Sequence, residues 1–309
     1  MKPHANPGVQ RRFLIAIALT TIILLAEALG GLWTHSLALV SDAAHVLLDL
    51  FAIALSYLAL RLSAMPADDR HTYGYHRLEV LAALANGLTL LIVAGSILWE
   101  SLDRWRSPQD VRSLEMLLIA IVGLVVNLVV AWMLHGQATG AMGRTDINVR
   151  SAALHAMSDA VSSVGVIAAA VVIALTGWRQ ADALAGALIG LLILFGAGRV
   201  LRSSLHILIE GTPEGMSVIE VGEAMAGTPG VCDVHDLHVW SLCSTHVALS
   251  AHIMHESGDL QQQAVTLQEL RTRLQQRFGI THTTVQIDAA NCGQGAPHET
   301  ASPAPFATS

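Results

Sequence analysis

The sequence predicts a membrane protein in two parts: an all-α bundle of six transmembrane helices, then a small cytoplasmic α+β domain. The first observation is composition, because 53% of the residues are hydrophobic and only 13% are charged, whereas soluble domains carry about 25% charged residues. The second is a series of six long apolar runs that stops abruptly after Arg202. The third is an excess of histidine, with 15 residues beside 17 Lys and Arg. Together these features indicate a membrane protein that handles metal ions or protons.

The charge balance excludes several other classes of protein. The net charge is −7 and Lys2 is the only lysine, so no nucleic-acid partner is expected, because such a partner requires a basic surface. The apolar composition also excludes a disordered chain. Three cysteines without close spacing (Cys232, Cys243 and Cys292) predict neither a disulfide framework nor a cysteine-based zinc finger.

The six apolar runs are each long enough to cross the ~30 Å hydrocarbon core of a bilayer. The first is too long for a cleavable signal and we expect it to remain as a membrane helix. The membrane domain is therefore predicted over residues 13–202, after a short N-terminal tail of residues 1–12. The segments are Phe13–Trp33, Leu37–Leu60, Leu78–Trp99, Leu114–Leu134, Val149–Leu175 and Ala183–Leu201.

The basic residues near the segment ends predict the orientation, because cytoplasmic loops are enriched in Lys and Arg. One side carries Lys2, Arg11, Arg12, Arg61, Arg70, Arg77, Arg144, Arg150, Arg199 and Arg202. The other side carries fewer: Arg104, Arg106, Arg112 and Arg179. Both termini are therefore expected in the cytoplasm, with the chain in a bacterial-type inner membrane.

Residues 203–290 predict a soluble α+β domain, followed by a disordered tail over residues 291–309. Apolar residues at helical spacing predict helices over Pro213–Met225 and around Leu267–Phe278. A turn at Gly227–Gly230 precedes a strand through Val231–Leu242. Alternating apolar residues predict two more strands, one at residues 247–253 and one closing strand at residues 284–288.

The second and fifth apolar segments share a motif, Ser-x-Ala-x-His-x-x-x-Asp. It supplies His45 and Asp49 in one segment and His155 and Asp159 in the other. Ionisable groups in a membrane helix cost roughly 2.5–3.5 kcal/mol each, and the i, i+4 spacing places each pair on one helical face. Two such helices facing each other would bring two imidazoles and two carboxylates together. That set suits a tetrahedral ion such as Zn²⁺, although a helix-packing hydrogen bond is the alternative for each pair.

The same ligands predict coupling to protons. Histidine binds metal only when it is neutral, so metal entry displaces protons and protons displace metal. Asp42 lies on nearly the same face as His45 and Asp49, where it is either a partner of the ligands, a proton relay or a packing residue. We interpret Glu27, Asn127 and Asp182 as structural.

With these motifs the chain resembles the cation diffusion facilitator family of divalent-metal antiporters, over residues 10–290. Besides the paired His–Asp motifs, the resemblance uses residues 68–79 (Asp68-Asp-Arg-His71-Thr-Tyr-Gly-Tyr-His76-Arg-Leu-Glu79) and Val234-His-Asp-Leu-His238-Val-Trp240. It implies six transmembrane helices, a cytoplasmic ferredoxin-like (metallochaperone-like) domain and a homodimer. It further implies proton-driven efflux of Zn²⁺, or of Cd²⁺ or Co²⁺, with protons as the counter-ion.

The resemblance also implies two further metal sites. One lies in the loop after the second segment, where Asp68 and His71 match the family pattern and His76 stands one position beyond the third ligand, at which this chain has Tyr75. The other lies in the cytoplasmic domain at His235, His252 and Asp288, where His282 is expected to replace the poor zinc ligand Gln286. His238 and Trp240 are expected on the opposite strand face from His235, as packing or interface residues.

Three other functions remain open or are disfavoured at this point. A transmembrane metal sensor would bind zinc at the same residues without sustained flux, and an importer or uniporter would use the same site in another direction. A membrane-embedded metal hydrolase is disfavoured, because it requires a motif such as His-Glu-x-x-His, which this sequence lacks. The chain is therefore not expected to be an enzyme.

Overall fold

The computed structural model describes the backbone of residues 7–135 and 147–288, and the side chains of residues 15–133, 157 and 159–288. Within that part of the chain, six helices are long and apolar enough to cross a membrane. Each overlaps one apolar segment of the sequence, so the predicted bundle is confirmed. The helices are α1 (Pro7–Thr34), α2 (Leu37–Ser63), α3 (Arg77–Arg106), α4 (Ser113–His135), α5 (Ile147–Thr176) and α6 (Gln180–Leu208).

The chain divides into two compact units. The first comprises Met1–Tyr57 and Ala85–Leu201, and the second comprises Leu58–Leu84 and Arg202–Ser309. The C-terminal part of the second unit starts at Arg202, and the unit also includes the end of α2, the start of α3 and the loop between them.

The first unit has an apolar interior and an apolar exterior. Its main core is formed by buried Leu, Ile, Val and Ala side chains such as Leu39, Val166 and Ile189. Large side chains such as Trp132 and Leu175 are also largely exposed on the outer surface. A helix that is hydrophobic all round belongs in lipid or in a large core, so the outward-facing residues fit a hydrocarbon environment.

The start of α2 is held by a carboxylate from α6. Asp182 is buried and accepts hydrogen bonds from Ser36 Oγ at 2.6 Å, Leu37 N at 2.7 Å and Ala38 N at 3.1 Å. The first N–H groups of a helix have no partner within the helix, so this carboxylate caps α2 across a long stretch of sequence. Arg104 Nη1 lies 3.7 Å from the same carboxylate and balances its charge. The structural interpretation of Asp182 is therefore supported by these contacts.

The second unit contains the α+β domain. Its elements are α7 (Val218–Ala226), β1 (Val231–Ser241), β2 (Val247–His255), α8 (Leu260–Phe278) and β3 (His282–Asp288). The strands form one sheet in the order β1-β2-β3, in which β1 pairs antiparallel with β2 and β2 pairs parallel with β3. The parallel pair requires a crossover connection, which α8 supplies. The two helices and the sheet share a core of buried apolar side chains that includes Val221, Leu249 and Leu270.

The first helix of this domain is shorter than the sequence pattern indicates. We expected a helix from Pro213, but α7 begins at Val218. Ser217 has an extended backbone and accepts a hydrogen bond from Glu220 N, which makes it the N-cap residue. Gly215 has φ of 79°, which a right-handed helix does not allow. The preceding residues therefore form a turn.

Candidate metal centres

Three predicted ligands meet between α2 and α5. The Nε2 atom of His45 lies 3.7 Å from Asp49 Oδ2 and 3.9 Å from Asp159 Oδ1. Metal-binding atoms of the three residues all lie within 4.8 Å of one another. His45 and Asp49 are half-buried one helical turn apart on α2, and Asp159 is buried on α5. We call this set the transport cluster.

The fourth predicted ligand, His155, precedes Asp159 by one turn on α5. Its side chain lies outside the described residues, so it stays a prediction. The i, i+4 spacing alone places it on the helical face of Asp159. One imidazole and two carboxylates already provide nitrogen and oxygen donors of the kind that Zn²⁺ accepts, and a second imidazole would complete a tetrahedron.

Asp42 joins the two helices beside the transport cluster. It is only 2% exposed, and Ser162 Oγ of α5 donates to its Oδ1 at 2.5 Å. Ser163 Oγ lies 3.5 Å from its other oxygen and donates to the Asp159 carbonyl at 3.1 Å. Buried carboxylates need such donors, so these bonds favour a positioning role for Asp42 in which α2 is held against α5.

Glu27 is a second buried carboxylate, on α1, and is 1% exposed. Among the described residues, neither of its oxygens has a hydrogen-bond partner. A Cβ atom added at Gly123 of α4 would lie 2.5 Å from Glu27 Oε1, so the glycine is needed for the close approach of this carboxylate. Asn127 is buried one turn further along α4. These positions are consistent with the structural interpretation, although burial of an unsatisfied carboxylate is costly.

The sheet carries a second set of donors, which we call the sheet cluster: His235, His252 and Asp288. His235 Nε2 and His252 Nδ1 lie 3.0 and 3.3 Å from the same oxygen of Asp288. Pairing of β1 with β2 aligns His235 with His252, and pairing of β2 with β3 aligns Met254 with Asp288. The pKa of Asp288 is lowered, chiefly because Gln286 Nε2 donates to it and also because of the two imidazoles.

His282 does not join the sheet cluster, contrary to expectation. It pairs with Ala248 at the other end of β2, and its ring packs against Tyr73 with centroids 5.1 Å apart. Alternation does place residues 282 and 288 on one face, but a strand rises about 3.3 Å per residue, so they are separated by roughly 20 Å. Gln286, treated as a poor ligand, instead donates to Asp288 Oδ1 at 2.9 Å.

The expected orientation of His238 and Trp240 is also wrong. The register between β1 and β2 shifts between His235 and His238, where Asp236 has φ of 50°. This bulge places one extra residue in β1, so His238 and Trp240 pair with Ser250 and Ala248. Because residues 248, 250 and 252 share one face of β2, both side chains lie on the face of His235.

Two carboxylates of β1 that the sequence interpretation missed also contact these histidines, and one of them, Asp236, lies in the bulge. Asp233 Oδ2 lies 3.1 Å from His235 Nδ1, and Asp236 lies 3.0 Å from His238 Nε2 and 3.8 Å from His252 Nε2. A carboxylate on the second nitrogen of a ligating histidine fixes its orientation and raises its basicity. The sequence His235-Asp-Leu-His238 was the available signal for Asp236.

The predicted loop site is not assembled. Asp68 accepts hydrogen bonds from His71 N at 2.7 Å, Arg70 N at 2.9 Å and the Tyr75 hydroxyl at 2.7 Å. His71 Nδ1 lies 3.2 Å from Asp68, but no third metal-binding side chain joins them within the described ranges. His76 points elsewhere, because its ring stacks on that of His246. Tyr75 thus fills the place where a third ligand was expected.

Two family models, which lie end to end, match most of the chain. Residues 13–209 match the cation efflux transmembrane domain, and residues 213–290 match the cation efflux protein cytoplasmic domain. The metal cation efflux system protein CzcD of Cupriavidus metallidurans is 42% identical over 305 residues, covering 97% of this chain and 94% of that protein. A cadmium, cobalt and zinc/H⁺–K⁺ antiporter of Bacillus subtilis is 38% identical, covering 93% of this chain and 92% of its own length.

Two further matches are a full-length transporter and the solved structure of a C-terminal domain. The zinc transporter ZitB of Pectobacterium atrosepticum is 36% identical, covering 94% of this chain and 88% of that protein. Among solved structures, the metal-bound C-terminal domain of the CzcD transporter of C. metallidurans is 36% identical. It covers 24% of this chain and 99% of that domain, with a TM-score of 0.22.

Proposed function

This chain belongs to the cation efflux family of membrane transporters, and from that premise we propose that it exports Zn²⁺ from the cytoplasm in exchange for protons. It is an integral membrane protein for efflux of divalent metal cations, not an enzyme. In the proposal, the transported ion binds to the transport cluster, with His155 as the fourth ligand. Cd²⁺ and Co²⁺ are the expected secondary substrates.

One observation carries the proposal: donors from two different helices converge inside apolar segments. Metal-binding atoms of His45, Asp49 and Asp159 lie within 4.8 Å of one another. The helices that carry them are otherwise apolar enough to cross a membrane. Ionisable groups at this depth are costly and usually functional. Imidazole together with carboxylate favours Zn²⁺ over the harder ions Mg²⁺ and Ca²⁺, which prefer oxygen ligands alone.

Proton coupling follows from the chemistry of the ligands. A histidine must lose its proton to bind metal, so a proton that arrives from the outside favours release of the ion. The names of three relatives agree with this substrate class: one is called a zinc transporter, one a metal cation efflux protein and one a cadmium, cobalt and zinc/H⁺–K⁺ antiporter.

The proposed orientation and assembly rest on sequence and family. The excess of Arg and Lys on one side supports cytoplasmic termini, and the six membrane-spanning helices are the basis for proposing an inner membrane location. The match of residues 213–290 to the cytoplasmic domain of cation efflux proteins supports a homodimer. In this proposal the sheet cluster binds cytoplasmic zinc and regulates transport.

The test is zinc flux in proteoliposomes under an imposed pH gradient. The wild-type protein should move Zn²⁺ against the proton flow, and Asp159→Asn should reduce that flux at least about tenfold, as loss of a metal-site group does. Asp110→Asn is the matched control, because Asp110 is 85% exposed and pairs only with Arg179 among the described residues. It should transport normally.

Two results would overturn the proposal in different ways. Undiminished flux in Asp159→Asn would remove the transport cluster from the ion pathway. Zinc binding without any gradient-driven flux in the wild-type protein would favour a metal sensor, the alternative function for the same residues.

A further inference from the structure

A third group of donors lies apart from both clusters. His76 stands immediately before α3, whereas Cys243 and His246 belong to the loop between β1 and β2. Metal-binding atoms of these three residues all lie within 4.8 Å of one another. The two chain segments are far apart in sequence, so their meeting is a product of the fold of the second unit. We call this group the hairpin cluster.

The distances between donors of the hairpin cluster are close to those between the ligands of a bound zinc ion. Cys243 Sγ lies 3.4 Å from His246 Nδ1, and the rings of His76 and His246 are stacked with centroids 4.2 Å apart. A tetrahedral zinc ion with bonds of about 2.3 Å to sulfur and about 2.0–2.1 Å to nitrogen spaces its ligands by roughly 3.4–3.6 Å. Cys243 Sγ and His246 Nδ1 already have that separation. The ring nitrogen of His76 lies within 4.8 Å of both atoms, so a rotation of its side chain would bring it to bonding distance of the same ion.

The loop that carries the two hairpin ligands is held in place. Leu242 N donates to the His246 carbonyl at 2.8 Å, which closes the loop. Ser244 Oγ donates to Glu79 Oε1 at 2.5 Å, which fastens the loop to the first turn of α3 beside His76. Cys243 is only 3% exposed, whereas His246 is exposed. The thiol is thus shielded while an imidazole remains accessible to an arriving ion.

We propose that His76, Cys243 and His246 form a metal site for a thiophilic divalent ion, Zn²⁺ or Cd²⁺, separate from the transport and sheet clusters. Sulfur with two imidazoles selects Zn²⁺, Cd²⁺ or Co²⁺ over Mg²⁺, Ca²⁺ and Mn²⁺. The other two clusters have only nitrogen and oxygen donors among the described residues. An ion bound here ties the β1–β2 loop to the start of α3.

The experiment uses Co²⁺ as the probe on the full-length purified protein, because a thiolate bound to Co²⁺ gives a charge-transfer absorption that imidazole and carboxylate do not. The chain has three cysteines, so a Cys232→Ser/Cys292→Ser double variant leaves Cys243 as the only thiol. We expect the band to persist in that variant and to vanish when Cys243→Ser is added.

The histidines are tested by titration of the same band. His76→Gln and His246→Gln should each weaken Co²⁺ binding at least about tenfold. His71→Gln is the matched control from the same loop and should leave the titration unchanged, because His71 pairs with Asp68 and not with the hairpin cluster. A band that survives Cys243→Ser, or that is absent from the single-thiol variant, would overturn the proposal.

A second measurement does not depend on the histidine variants folding normally. In the Cys232→Ser/Cys292→Ser protein, alkylation of Cys243 by a maleimide should slow at least about tenfold when Cd²⁺ is present. Mg²⁺ at the same concentration should have no effect. Equal alkylation rates with and without Cd²⁺ would mean that the thiol does not bind the ion.

Discussion

A single aromatic residue, Tyr75, determines how Asp68 is bonded in the loop after α2. Asp68 is surrounded by donors, and these hold its pKa at about 2, below its usual value of 3.8, with the Tyr75 hydroxyl as the largest cause. Its lone pairs are used by the phenol and by two backbone N–H groups. The motif containing Asp68 and His71 was recognisable from the sequence, but the consequence of Tyr75 was not, because it depends on where the phenol points.

The contribution of Tyr75 can be measured through the titration of Asp68. Tyr75→Phe removes the largest cause of the shift, so the pKa of Asp68 should rise toward 3.8. Because the folded-state pKa is depressed, the stabilisation by Asp68 is present above pH 3.8 and is lost as the pH falls through about 2 in the wild type. Carboxyl NMR titration of the labelled protein checks the change.

Tyr73→Phe is the control for this titration, because Tyr73 lies in the same loop and packs against His282 rather than against Asp68. The pKa of Asp68 should be the same in this variant as in the wild type. A similar pKa in Tyr75→Phe would show that the backbone N–H groups account for the whole shift.

At the scale of an element, the β1 bulge explains why the sheet cluster was only partly predictable. Sequence alternation identified the strand β2, and the family resemblance pointed to the histidines at positions 235 and 252. Neither could reveal that Asp236 adopts a left-handed backbone and adds one residue to β1. Every side chain after a bulge changes face, so an orientation inferred from odd and even positions fails from that point on.

The bulge should depend on a residue that tolerates positive φ. Asp and Asn adopt the left-handed region far more readily than alanine, for which it costs about 1–2 kcal/mol. Asp236→Ala should therefore lower the free energy of unfolding of the α+β domain by about 1–2 kcal/mol. Asp236→Asn should lower that free energy much less. Hydrogen exchange of the β1 and β2 amides, followed by mass spectrometry on the full-length protein, measures both losses. Equal losses would indicate that the charge of Asp236, rather than its backbone, matters.

The helical elements were easier to predict than their ends. Six apolar runs of membrane-spanning length leave little choice of structure, since only helices satisfy every backbone group within one segment in lipid. The ends depend on individual capping contacts, such as those of Ser217 for α7 and Asp182 for α2. The partner of such a cap is remote in sequence, so no local pattern reveals it.

The cap on α2 predicts a large loss of stability in one variant. Asp182→Ala removes a buried carboxylate that accepts three hydrogen bonds and faces Arg104, which should cost about 3–5 kcal/mol. Asp110→Ala, at an exposed ion pair with Arg179, should change stability little. Thermal unfolding in detergent compares the two. Equal melting temperatures would show that water replaces the cap.

At the scale of the whole molecule, each of the two compact units is built from two separate stretches of the chain. The loop between α2 and α3 groups with the C-terminal domain, and Arg77 Nη2 pairs with Glu210 at 3.0 Å within that unit. The sequence predicted one boundary near residue 202. It could not predict that residues from the membrane segments also belong to the second unit, because that depends on contacts between distant parts of the chain.

Removing the C-terminal domain should therefore affect the loop. In a chain that ends at residue 202, residues 68–79 lose their contacts with Ser244 and His246. Hydrogen exchange in that loop should become at least about tenfold faster, while exchange in α4 stays unchanged. Exchange measured by mass spectrometry on both proteins in detergent tests this. An unaltered rate in the loop would show that it is ordered by the membrane helices alone.

The cap on α2 also has a consequence for the order of biosynthesis. Ser36 and Asp182 are separated by 146 positions, and a ribosome adds about 5–20 residues per second. The N–H groups of Leu37 and Ala38 must therefore wait roughly 7–30 s after their own synthesis before Asp182 exists. During that interval the two N–H groups lack this partner, so the cap that joins the start of α2 to α6 forms only after the first turn of α6 has been made.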